Sequence, residues 1–195
     1  MSHHIFHTNA FILSSRNQGE ANKSFTLFTR ELGVVRATAQ GVRHLKSKLR
    51  YSLQDLSFAS VDLVRGKDIW RVTSAKPNDH FRELKADKKI LSVIANAGNL
   101  LRRLYRGEDP NPELYDHVER CILYIEQEKK EGEVVKDIEL ILVLGILYHL
   151  GYVEKESPFD SLVTGELSRA LLMDATKERK KILDRINTSI RETQL

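Results

Sequence analysis

The chain has 195 residues, 41% of them hydrophobic and 30% charged, which excludes disordered, collagen-like and disulfide-built classes. A single cysteine, Cys121, excludes an internal disulfide and a multi-cysteine zinc site. The net charge of +4 is uneven: residues 1–76 balance at +7 and residues 77–195 at −3, so the first third favours a polyanionic partner.

The opening Met-Ser-His-His-Ile-Phe-His lacks the charged start and apolar core of a secretory signal, and a cytoplasmic location is expected. His3, His4 and His7 read as terminal side chains without a metal role. From His7 to Lys76 the chain reads as five short strands. Phe11–Leu13, Phe25–Thr29 and Val34–Ala39 are rich in aromatic and β-branched residues, with turn material at Asn17–Glu20 and Glu31–Gly33. Ser57–Val64 alternates at period two, and Arg65-Gly66-Lys67-Asp68 turns into Ile69–Thr73. Five strands in this span fit a small barrel, because closure removes exposed edges. Residues 43–54 fall between the third and fourth strands as a basic loop or short helix. Gly33 and Gly41 are read as turn glycines.

Ala75-Lys76-Pro77 ends this pattern, and helical spacing follows. Ile90, Ile94, Ala97, Leu101 and Leu104 form one stripe, and Leu114, Val118, Cys121, Ile122 and Ile125 a second. Ile138, Ile141, Leu142, Gly145, Tyr148 and Tyr152 mark a third helix, apolar on more than one side and therefore central. That stretch is too short to span a bilayer, and no membrane contact is expected. A short helix is predicted around Leu167–Leu172, and a final helix through Ile182, Ile186 and Ile190. The predicted architecture is α+β, a barrel over residues 1–78 followed by a helical bundle over residues 79–195.

Catalytic signatures are missing from the sequence. Neither a Walker-type phosphate loop nor a Gly-x-Ser-x-Gly elbow occurs. Cys121 lies on a helix stripe as a small hydrophobe, and His149 beside one. No enzyme activity, catalytic residue, metal or cofactor is expected. What the sequence does offer is a basic cluster: Arg36, Arg43, His44, Lys46, Lys48 and Arg50 within fifteen residues, free of Asp and Glu and followed by Tyr51. Cations for phosphates beside a ring for bases suit single-stranded nucleic acid. The basic run from Lys177 to Arg185 is interleaved with Glu178 and Asp184 and reads as a solvated helix face.

The strings Leu27-Phe28-Thr29-Arg30-Glu31-Leu32-Gly33, Ala39-Gln40-Gly41-Val42-Arg43, Lys46-Ser47-Lys48-Leu49 and Leu53-Gln54 resemble the N-terminal region of the RecO recombination mediators. Ala10–Leu13 and Gly19-Glu20-Ala21 match the opening strand and turn of that family, and Ile138–Leu142 with Leu150-Gly151-Tyr152 is similar to its helical domain. The resemblance implies an OB-fold and then helices, without catalytic residues. It implies binding of single- and double-stranded DNA, strand annealing, and work with RecR and SSB to load RecA, in the cytoplasm at the nucleoid. Arg30, Arg36, Arg43, Lys46, Lys48 and Arg50 are then the expected DNA contacts. By the same analogy the helical domain takes the acidic C-terminal tail of SSB, with Arg102, Arg103, Leu142, Ile146 and Tyr152 as candidates. Many relatives carry a four-cysteine zinc module after the Leu-Gly-Tyr motif, which this sequence replaces with a cysteine-free connection. An OB-type single-strand or RNA-binding module without annealing, and a protein-binding adaptor, are the competing readings.

Overall fold

The structure, a computed structural model, describes residues 4–78, 81, 87–127, 132–155 and 159–192. Five strands build the N-terminal unit: β1 Ile5–Gln18, β2 Asn22–Thr29, β3 Gly33–Ala39, β4 Ser57–Arg65 and β5 Trp70–Pro77. They close in the order β1-β2-β3-β5-β4, with β4 returning to pair with β1. Every pairing is antiparallel except β3–β5, a parallel contact of Ala37 with Trp70 and Thr38 with Arg71. The unit is an OB-fold barrel.

Alternation explains the closure. Along β3, Val35, Ala37 and Ala39 are buried while Arg36 is exposed. Inside, alanines 10, 37, 39 and 59 leave room for Phe25, Leu27, Leu63 and Trp70, the small–large fit that a narrow barrel requires. The helix α1 (Leu49–Ser52) lies between β3 and β4, and its flank brings Leu53 into this core together with Val42. Around Phe11, Phe28 and Phe58 the outer side of β1, β2 and β4 is also apolar. Register sets Phe11 opposite both Phe28 and Phe58; Phe11 stacks on Phe58 at 4.6 Å and Phe58 on Phe81 at 4.0 Å. Phe11-Ile12-Leu13 therefore reads as a continuous apolar run, because both faces are buried.

The chain divides into two units, residues 1–85 with 106–112, and residues 86–105 with 113–195. The excursion at 106–112 belongs to the barrel: the Val34 N–H donates to the Gly107 carbonyl at 3.0 Å.

The second unit contains α2 (Lys88–Leu104), α3 (Pro112–Gln127), α4 (Gly132–His149), α5 (Phe159–Thr164), α6 (Arg169–Lys177) and α7 (Arg179–Glu192). Asp87 caps α2 by accepting from the N–H groups of Lys89 at 2.8 Å and Ile90 at 3.4 Å. From Leu140 to Tyr148 helix α4 is apolar all round, and α2, α5, α6 and α7 pack on α4. It stops at His149, short of Tyr152. The Tyr152 N–H donates to Leu147 O at 2.8 Å and that of Gly151 to Tyr148 O at 3.0 Å, a Schellman stop that takes Tyr152 off the helix. Helix α6 starts later than its apolar spacing predicts, because the Ser168 hydroxyl accepts from the Leu171 N–H at 3.3 Å and caps it. Six-residue α5 is too short to show a helical period. Among the described residues, no helix is long and apolar enough to cross a membrane.

Candidate nucleic-acid interface

Residues paired across a ladder share one face of the sheet. Arg16 stands opposite Ser24, Ser24 opposite Thr38, and Thr38 opposite Arg71, a single row across β1, β2, β3 and β5. The neighbouring row is Ser14, Thr26 and Arg36. These rows hold arginines and hydroxyls and no carboxylate. Arg16, Arg36 and Arg71 are exposed and carry no ion pair among the described residues. Free guanidiniums beside rotatable hydroxyls are suited to phosphate oxygens, which accept both kinds of hydrogen bond.

The segment after β3 is fastened to the β1–β2 turn. The Gly41 N–H donates to Asn22 Oδ1 at 2.9 Å, the Arg43 N–H to Ala21 O at 3.0 Å, and Arg43 Nη1 to Gly19 O at 2.8 Å. Gly33 and Gly41 both hold positive φ, in keeping with turn roles. Lys46, Lys48 and Arg50 remain exposed, without an ion pair among the described residues. A cavity of about 320 Å³ opens between Lys23, Val42, Arg43, Arg50 and Leu53.

The six expected contacts therefore fall into three places. Arg43, Lys46, Lys48 and Arg50 share the segment between β3 and β4, and Arg36 lies on the strand face. Arg30 stands apart, on the β2–β3 turn at the far end of β2. Its Nη1 is 3.3 Å from Glu31 Oε1, and its N–H donates to Asn9 O at 3.1 Å. Glu31 in turn accepts from the Thr8 hydroxyl. Linear clustering misses Arg16 and Arg71, which are remote in sequence and joined only by strand register, and Lys23, which lines the cavity with Arg43 and Arg50. Period-two alternation marks which side each occupies, but not which strand lies beside it.

Residues 1–81 match the family model described as Recombination protein O N terminal. The N-terminal unit belongs to the RecO family. The chain is 27% identical over 149 residues to a DNA repair protein RecO of Alkaliphilus metalliredigens, covering 75% of this chain and 61% of the relative. RecO of Desulfitobacterium hafniense is 32% identical over 111 residues, 57% of this chain and 41% of the relative. That of Heliobacterium modesticaldum is 37% identical over 100 residues, 51% and 37% respectively. The chain thus spans less than two thirds of each of these proteins.

Beyond the RecO barrel, the five candidates on the helical unit do not form one open pocket. Arg102 and Arg103 are exposed on the last turn of α2, where Arg102 Nη2 donates to Asn99 Oδ1 at 2.9 Å. Leu142 and Ile146 are fully buried in α4 and drop out as ligand contacts, because their apolar surface is spent on packing. Tyr152 is half-buried beyond the helix end; its carbonyl accepts from Ser189 Oγ at 2.8 Å. The ring borders a cleft shared with Arg185, Glu154 and Glu192.

A polar pair in this unit, buried His117 with half-buried Arg120, carries no spacing signal in the sequence. His117 lies between α3 and α4, with Nε2 3.3 Å from Ile141 O and Nδ1 3.3 Å from Arg120 Nη2. A guanidinium can only donate, which assigns Nδ1 as acceptor and Nε2–H as the donor to Ile141. The ring is therefore neutral. Burial pushes its pKa down to about 3, with His149 and Arg120 adding to the effect. Arg120 Nη2 also donates to Val163 O at 2.8 Å, tying α3 to α5. Burial pushes the neighbouring Cys121 thiol up to about 12, which makes it inert packing rather than a nucleophile. Among the described residues, no group of three or more His, Cys, Asp or Glu is placed to hold a metal ion.

Proposed function

We propose that this chain is a non-enzymatic DNA-repair and recombination mediator. It binds single- and double-stranded DNA through its barrel and anneals complementary strands. With RecR it helps load RecA onto SSB-coated single strands, in the cytoplasm at the nucleoid. The observation that carries this reading is the arginine–hydroxyl face of β1, β2, β3 and β5, free of carboxylates, on a barrel of the RecO family. The DNA-repair names of its relatives support the same reading.

Contacts to backbone phosphates position a strand without reading its bases, so binding is expected to be indifferent to sequence. Annealing brings two polyanions together, and a cationic surface lowers their repulsion while leaving base edges free to pair. The expected DNA contacts are Arg36, Arg43, Lys46, Lys48 and Arg50, joined by Arg16 and Arg71; Arg30 contributes less because Glu31 neutralises it. The helical unit serves the protein partners. Its exposed Arg102 and Arg103 are the cations available to the acidic SSB tail.

Annealing of complementary oligonucleotides coated with SSB, measured with and without the chain at two salt concentrations, tests the proposal. Salt-sensitive acceleration is expected. Tight binding without acceleration would replace the mediator with a strand-protecting module. No DNA binding at either salt would leave a protein adaptor.

A further inference from the structure

The cavity at the end of the barrel differs in character from the strand face. Its walls carry three cations, Lys23, Arg43 and Arg50, and its floor is Val42 and Leu53, both members of the barrel core. At about 320 Å³ it has room for a phosphate with its sugar or base, and far too little for a duplex. The walls are set before any ligand arrives. Arg43 is anchored on Gly19 O at 2.8 Å, and Lys23 Nζ reaches Ser15 Oγ at 3.4 Å. A preformed seat reduces the ordering cost of binding. Next to Arg50 on the same segment, Tyr51 leaves 69% of its surface exposed, and Leu45 leaves 80%. A bare ring beside cations offers an unpaired base a stacking platform.

A duplex can use neither feature. Its bases are paired and stacked, and its phosphates follow one another at fixed spacing on the outside. Only a single strand can turn one nucleotide aside, place its phosphate among the cations and lay its sugar over Val42 and Leu53. We infer that this cavity is a single-strand-specific seat for one nucleotide, with Tyr51 as the adjoining stacking ring. The inference rests on the DNA-binding reading above and divides its surface in two: the strand face accepts any backbone, and the cavity only an unpaired one.

The test is equilibrium binding of the full chain, by fluorescence anisotropy, to a single-stranded oligonucleotide and to a duplex with the same number of phosphates. Two pocket variants are compared with the wild type, Lys23→Gln, and Tyr51→Ala with Tyr51→Phe as its conservative control. Arg43 and Arg50 are left intact because both belong to the surface expected to hold any DNA, and the Arg43 side chain also holds the β1–β2 turn. Lys23→Gln and Tyr51→Ala are each expected to weaken single-strand binding about tenfold and to leave duplex binding unchanged. Tyr51→Phe is expected to bind as the wild type does. Arg36→Gln combined with Arg71→Gln is expected to weaken both ligands. Equal losses on strand and duplex from the pocket variants, or no loss from them, would overturn the seat while leaving the DNA-binding reading in place. A wild-type chain that binds neither ligand would overturn both.

Discussion

Gly145 on α4 lies directly beneath the imidazole of His117 on α3, so that a Cβ at position 145 would occupy the space of the ring. The ring is held in place by hydrogen bonds at both nitrogens, to Arg120 on α3 and to the Ile141 carbonyl one turn before Gly145 on α4. Two effects oppose one another in Gly145→Ala. Alanine gains roughly 1 kcal/mol of helix propensity over glycine. Overpacking a rigid core loses about 1–3 kcal/mol, and displacing His117 strands a buried donor as well. The steric loss is the larger, and Gly145→Ala is expected to lower the urea midpoint of the helical unit. An unchanged or raised midpoint would show that the ring has somewhere to go.

The same histidine sets a pH dependence. Its folded pKa, about 3, lies below the ordinary imidazole value of 6.5, so between these values the unfolded chain binds more protons. Stability is therefore full above about pH 6.5 and falls as the pH drops towards 3, by up to about 1.4 kcal/mol for each unit. His149, also lowered by burial and opposed by Glu113, acts with the same sign. Unfolding at pH 7 and pH 5 is expected to give a smaller difference in His117→Gln than in the wild type. Equal differences would assign the acid sensitivity elsewhere.

Gly33 opens β3 with φ +70, and a Cβ there would lie 2.8 Å from the Asp109 backbone nitrogen. The left-handed conformation alone costs an L-residue about 1 kcal/mol, and the overlap with backbone adds to it. Gly33→Ala is expected to loosen the 106–112 excursion from the barrel, read as faster amide exchange at Val34, whose N–H bonds Gly107 O. Exchange at the wild-type rate would contradict this account of the glycine.

Strand and helix identities were largely legible because burial imposes a period: Val35, Ala37 and Ala39 on β3, or Ile90, Ile94 and Ala97 on α2. Ends set by hydrogen bonds were less so. The Gly151 stop and the Ser168 cap moved α4 and α6 away from their apolar spacing. The cation cluster at 43–50 stood out because its members are neighbours in sequence. Arg16 and Arg71 did not, since the row joining them exists only after β1, β2, β3 and β5 have paired. Leu142 and Ile146 show the converse: an apolar stripe on a helix covered from several sides has no surface left for a ligand.

The claim that this barrel holds DNA through its strand face is tested most directly by the salt dependence of binding. The measurement is the association constant for a duplex across a salt series, for the wild type and for Arg16→Gln/Arg36→Gln/Arg71→Gln. The account predicts a steep fall with salt for the wild type, and a slope shallower by about 0.9 for each phosphate contact removed. Parallel lines for the two proteins would contradict it and place the phosphates elsewhere on the chain.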